Sequence, residues 1–109
     1  MQLQQSSYSV LTTLRDTPRH GWSVLRELRT YGSRPPAVAT IYATLDRLRT
    51  AELIQEAGTE VVDGRARVIF EITASGIDAL HTHAQQMMQL AERTLSNGRT
   101  RGSIAGIAK

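Results

Sequence analysis

The sequence predicts a mainly α chain carrying one small β-hairpin, an α+β fold. Three observations predict it. Apolar residues recur at helical spacing in three successive segments between residues 3 and 51. The period then changes to strand-like alternation around Asp63-Gly64, the strongest short-range signal for a tight hairpin. Beyond the hairpin, an apolar stripe from Ile77 to Leu95 repeats at close to heptad spacing.

The first helix is expected from about Leu3 to Arg15, with Leu3, Val10, Leu11 and Leu14 on one face. Asp16-Thr17-Pro18 ends it, because proline disfavours helical backbone in the residue before it. The second follows His20-Gly21 and runs to about Tyr31, with Trp22, Leu25 and Leu28 as its apolar side. Gly32 fits a helix C-terminus, and 33–36 read as a loop. The third is expected from Ala37 to Ala51, with Val38, Ile41, Leu45 and Leu48 inward. Its other side carries Ala39, Thr40, Ala43, Thr44 and Arg47, small or hydrogen-bonding residues and one cation. A merely solvated face usually carries more Glu and Lys, so this one suits close approach to another surface.

Leu53 to Val62 and Arg65 to Ile72 read as the hairpin strands, pairing Val62 with Arg65 and Glu60 with Arg67. Alternation places Ala66, Val68, Phe70 and Ile72 inward. Thr73 is a suitable N-cap for a last helix reaching Ser96. Its seam is Ile77, Leu80, Ala84, Met87, Ala91 and Leu95, and residues 97–109 read as a flexible basic tail.

Composition narrows the function. The chain has no cysteine, which removes disulfides and thiolate metal sites, and no apolar run long enough to span a bilayer. Its start lacks the basic and apolar regions of a secretory signal, so a cytoplasmic location is expected and no membrane partner. Net charge is +3, unevenly spread: residues 15–50 hold seven arginines against Asp16, Glu27 and Asp46, whereas 51–96 hold seven acids against three arginines. Basic charge gathered in one segment points to a polyanion. No glycine-rich phosphate loop, G-x-S-x-G, cysteine nucleophile or H-E-x-x-H is present, so no enzymatic activity and no cofactor are expected.

Three helices followed by a hairpin is the order of a winged helix-turn-helix, in which the third helix enters the major groove and the hairpin lies along the backbone. On that reading Ala39, Thr40, Ala43, Thr44 and Arg47 form the groove-facing side, and Arg65 and Arg67 reach phosphates together from the wing. Residues 1–72 are then the DNA-binding unit and 73–96 a dimerisation helix.

The chain resembles the PadR-like transcriptional regulators of the short type. The matching pieces are His20-Gly21-Trp22, Thr40-Ile41-Tyr42, Leu45-Asp46-Arg47-Leu48, Leu53-Ile54, the wing from Asp63 to Arg67, and Ile72-Thr73-Ala74-Ser75-Gly76. They fall in the family's order across about residues 8–95. The resemblance implies a homodimer that binds palindromic operators in double-stranded DNA and represses, with Thr40 and Tyr42 on the recognition helix. The family's Ser-Pro-Gly before the threonine is here Ala37-Val38-Ala39, and its proline after the tyrosine is Ala43.

Other readings stand beside these. Tyr42 and Trp22 can be packing residues, Trp22 can line an effector pocket, and His20 suits a helix cap. Arg67 can pair with Glu60 across the strands. His81 and His83, two apart on a helix, face away from each other and cannot chelate a metal from one helix, which leaves only a metal site built across a dimer. Met87 and Met88 suit the dimer seam. The competing functions are a winged-helix protein–protein adaptor and a repressor sensing a small molecule or metal.

Overall fold

The computed structural model describes residues 3–31 and 36–96. The elements are α1 (Gln5–Asp16), β1 (Arg19–His20), α2 (Gly21–Leu28), α3 (Val38–Thr50), β2 (Ile54–Val62), β3 (Arg65–Ile72) and α4 (Ala74–Leu95). The four expected helices and both hairpin strands are present, in the expected order. The expected glycine stop at Gly32, most of the loop before α3 and the basic tail lie outside the described residues.

One core joins the helices to the foot of the hairpin. Val10, Leu11 and Leu14 of α1, Val24, Leu25 and Leu28 of α2, and Ile41, Leu45 and Leu48 of α3 are buried together. Leu53, Ile54 and Leu80 close it from the hairpin and α4, with Phe70 and Ile72 packed against it. Each fully buried side chain of this type contributes about 1.5–3 kcal/mol.

The sheet has the order β1-β3-β2, antiparallel throughout. The two-residue β1 is an addition to the sequence reading. Its pairing of His20 with Ile69 anchors the hairpin to the start of α2. Val62 pairs with Arg65 and Glu60 with Arg67, as the Asp63-Gly64 turn requires. Both turn residues have positive φ, 52° and 77°, the geometry whose twist matches two antiparallel strands.

Three caps fix the helix ends. The His20 Nδ1 accepts from the Ser23 N–H at 3.2 Å, bearing out the expected cap. The Thr73 hydroxyl accepts from the Gly76 N–H at 3.0 Å and donates to the Glu52 carbonyl at 2.8 Å, tying α4 to the chain leaving α3. The end of α3 is a Schellman turn: the Leu53 N–H donates to the Leu48 carbonyl and the Glu52 N–H to the Arg49 carbonyl, both at 3.0 Å. Glu52 occupies the left-handed position with φ 63°, where glycine is the unstrained choice.

Several expectations are corrected. Thr44 is 0% exposed and packs in the core with Ile41, Leu45 and Leu48, so it cannot face a groove. Val38 and Trp22, expected inside, are exposed. Leu80, expected in a dimer seam, is 5% exposed inside the protomer's own core. Ala66 and Val68 are exposed because the hairpin extends past the core, leaving only Phe70 and Ile72 something to pack on. Glu60 and Arg67 are in register but form no ion pair; the Glu60 carboxylate lies 3.5 Å from the His20 Nε2 instead.

Candidate nucleic-acid interface

Ile41, Thr44, Leu45 and Leu48 define the inner side of α3. At about 100° per residue, the opposite line carries Ala39, Ala43, Asp46 and Thr50. Tyr42 and Arg49 flank it on one edge, Thr40 and Arg47 on the other, and all eight are exposed. The slim profile at Ala39 and Ala43 is as expected. Thr44 has been replaced by Asp46 and Thr50, which the sequence reading passed over. The heptad-like spacing of 39, 43, 46 and 50 was the available signal.

The edges of α3 are held differently. The Arg47 guanidinium donates to the Gln4 side-chain carbonyl at 3.1 Å and reaches the Ser7 and Ser6 hydroxyls at 3.4 and 3.5 Å. These acceptors are neutral, so Arg47 is oriented by α1 and keeps its charge. Arg49 is bound at 2.7 Å to Asp46, which cancels its charge. Glu52 and Glu56 line the same shallow cleft as Arg49. Beyond Arg47 the end of α3 is therefore unattractive to a polyanion, and attraction rests on Arg47 and the wing.

Tyr42 is 45% exposed and leans over Gly21, the first residue of α2. A Cβ at residue 21 would lie 2.7 Å from the Tyr42 ring, so only glycine leaves the ring this position. Sequence reasoning noted Gly21 within a motif but missed this role. Tyr42 and Gly21 share a cleft of about 340 Å³ with Ala66, Arg67, Val68 and Phe70 of the wing. The Arg67 Nε is buried with no hydrogen-bond partner. Arg65 is exposed beside the turn. The structure thus brings Tyr42 and Arg67 into one cleft, leaves Ala39, Thr40, Ala43 and Arg47 exposed on α3 and Arg65 exposed beside the hairpin turn, and buries Thr44.

The α4 seam divides. Leu80 belongs to the core, Ile77 and Ala84 are half-buried, and Met87, Ala91 and Leu95 are exposed, Leu95 at 81%. Met88 and Leu90 add to the exposed apolar surface. The His83 ring sits 4.7 Å from Tyr8, joining α4 to α1, while His81 is exposed. Among the described residues there is no group of three His, Cys, Asp or Glu side chains able to hold a metal, and no helix long and apolar enough to cross a membrane.

Residues 10–82 match the model of the transcriptional regulator PadR-like family. No curated protein matches the chain. Solved structures of similar fold include a PadR family transcription regulator from hypervirulent Clostridium difficile, with TM-score 0.72 and 18% identity over 85% of this chain and 100% of that one. A PadR family transcriptional regulator from Eggerthella lenta has TM-score 0.71 and 23% identity over 81% of this chain and 76% of that one. A transcriptional regulator from Clostridium thermocellum has TM-score 0.71 and 16% identity over 86% and 90%. At these identities the likeness is one of fold: the winged helix.

Proposed function

The chain belongs to the PadR-like family of transcriptional regulators, and from that premise we propose that it binds DNA sequence-specifically as a homodimer on a palindromic operator, represses by occlusion, and works in the cytoplasm. The observation that carries the reading is the exposed line of α3, trimmed to Ala39 and Ala43 between Thr40 and Tyr42, with Arg67 of the wing sharing the Tyr42 cleft. A major groove admits one helix, and small side chains let the backbone approach base edges. Thr40 and Tyr42 supply hydrogen-bonding groups, and Arg47, Arg65 and Arg67 supply phosphate contacts, which position the protein without reading sequence.

The second copy is supported by α4. Met87, Met88, Ala91 and Leu95 leave an apolar stripe that the protomer does not cover. A parallel or antiparallel pairing of two such stripes would bury it at heptad spacing. Two copies of α3 then meet successive major grooves about 34–36 Å apart.

The test is binding to duplex across a salt titration, followed by selection from genomic fragments and sizing by light scattering. The reading expects a dimer, affinity that falls steeply with salt, and an inverted repeat among selected sites. A monomer that ignores duplex at low ionic strength contradicts it and leaves the adaptor role.

A further inference from the structure

We propose that the cleft between the start of α2 and the hairpin binds a small zwitterion, an amino acid with an apolar side chain, and that its occupancy adjusts the wing. The site stands apart from the DNA-binding reading; only the adjustment of the wing rests on it.

The cleft encloses about 550 Å³, within the roughly 300–1,000 Å³ of small-molecule sites. The α2 side supplies Arg19, His20, Ser23 and Arg26, and the hairpin supplies Glu60. His20 is 5% exposed, and its Nδ1 accepts from the Ser23 N–H, so the neutral ring carries its proton on Nε2. That Nε2 lies 3.5 Å from the Glu60 carboxylate, beyond the usual N–H···O range of about 2.7–3.2 Å. The Ser23 hydroxyl accepts from Arg19 at 3.2 Å and keeps its own proton to give. Among the described residues Arg26 has no hydrogen-bond or ion-pair partner, so its guanidinium is available.

Opposed charge selects the ligand. A simple anion that takes the His20 and Arg26 donors meets the Glu60 carboxylate beside them. A simple cation drawn to Glu60 meets Arg19 and Arg26. A divalent metal finds only His20 and Glu60 as ligands, and the described residues hold no group of three. A molecule carrying both signs satisfies both sides: its carboxylate takes Arg26, Ser23 and His20, and its ammonium takes Glu60. Pro18, Val62 and Ile69 leave an apolar lining for the rest of it. Glu60 belongs to β2 and Arg26 to α2, so the ligand bridges hairpin and helix, as the pairing of His20 with Ile69 already does.

The experiment is isothermal calorimetry on the full chain with L-valine, L-leucine, L-isoleucine, L-methionine and L-phenylalanine. Isocaproate and isoamylamine serve as single-charge counterparts of leucine. At least one amino acid should bind, and each counterpart should bind roughly tenfold or more weakly. Arg26→Gln and Glu60→Gln, both at exposed positions, should each weaken amino-acid binding by a similar factor, whereas Arg93→Gln on α4 should match the parent. Saturating amino acid should also shift duplex affinity roughly fivefold or more, read by fluorescence anisotropy. No binding across the panel overturns the proposal, as does binding that both cleft variants leave unchanged. Isocaproate binding as tightly as leucine makes the cleft a plain anion site and overturns it too. An amino acid that binds without moving duplex affinity overturns the adjustment of the wing. If the parent binds the amino acid but no duplex, the site stands and it is the DNA reading that fails.

Discussion

Replacing Gly21 by alanine should separate folding from DNA binding. The added Cβ would lie 2.7 Å from the Tyr42 Cε1, 3.0 Å from Cζ and 3.1 Å from the hydroxyl oxygen. Ordinary carbon contacts begin near 3.4 Å, so the ring edge must retreat by roughly 0.7 Å or swing away. Tyr42 is about half exposed, so it can move into solvent without opening a cavity. Alanine also gains about 0.5–1 kcal/mol over glycine in helical backbone. Stability should therefore stay within about 1 kcal/mol of the parent, or a few degrees in melting temperature. Binding should suffer more. If the displaced hydroxyl gives up one hydrogen bond per protomer at about 1 kcal/mol, a dimer loses about 2 kcal/mol, near 30-fold in affinity. Thermal melting by circular dichroism and operator binding by fluorescence anisotropy read the two quantities independently. A variant that melts far below the parent, or that binds as the parent does, refutes the role given to Gly21.

Other substitutions probe the rest of the account. Gly76→Ala drives a Cβ into the Leu53 carbonyl and the Ile72 side chain, and should cost ~3 kcal/mol or more by chemical denaturation, unlike Gly21→Ala. Glu52→Gly relieves a left-handed non-glycine residue, against a looser unfolded chain, and should raise stability by about 0.5–1 kcal/mol in the same assay. Thr44→Val removes a buried hydroxyl that has no partner; it should gain up to ~1 kcal/mol and leave operator affinity unchanged, whereas Thr40→Ala should relax sequence preference at unchanged stability. Met87→Asp should give a folded monomer by light scattering with lost operator binding, whereas Leu80→Asp should unfold the protomer itself.

What could be read from the sequence was whatever local chemistry dictates. The Asp63-Gly64 turn fixed the hairpin register because both residues accept positive φ. Thr73 and His20 are legible as caps because each stands immediately before a helical stripe. The errors arose where residue type was allowed to outvote angle. The Thr44 hydroxyl suggests an outward position, but its place between Ile41 and Leu48 turns it inward. The bulk of Trp22 suggests an inward position, but it stands off the Val24–Leu28 side of α2. The α4 stripe misled in another way. One apolar repeat serves two surfaces: Leu80 fills the protomer's core, while Met87 and Leu95 lie beyond the reach of α1. No local signal marks the residue at which that change occurs. β1 was invisible because a two-residue strand exists only through its pairing with β3. The bond between Arg47 and Gln4 is likewise long-range, spanning 43 residues.

The central claim is that the side of α3 carrying Ala39 and Ala43 lies in the major groove. The chain contains no cysteine, so Ala43→Cys offers a single attachment point for an iron chelate that cleaves nearby DNA. Bound to its operator, the conjugate should cut at two clusters about 10 base pairs apart, one for each protomer. Diffuse cutting from residue 43, or cutting only when the chelate is carried at Glu92 of α4, would show that another surface meets the DNA.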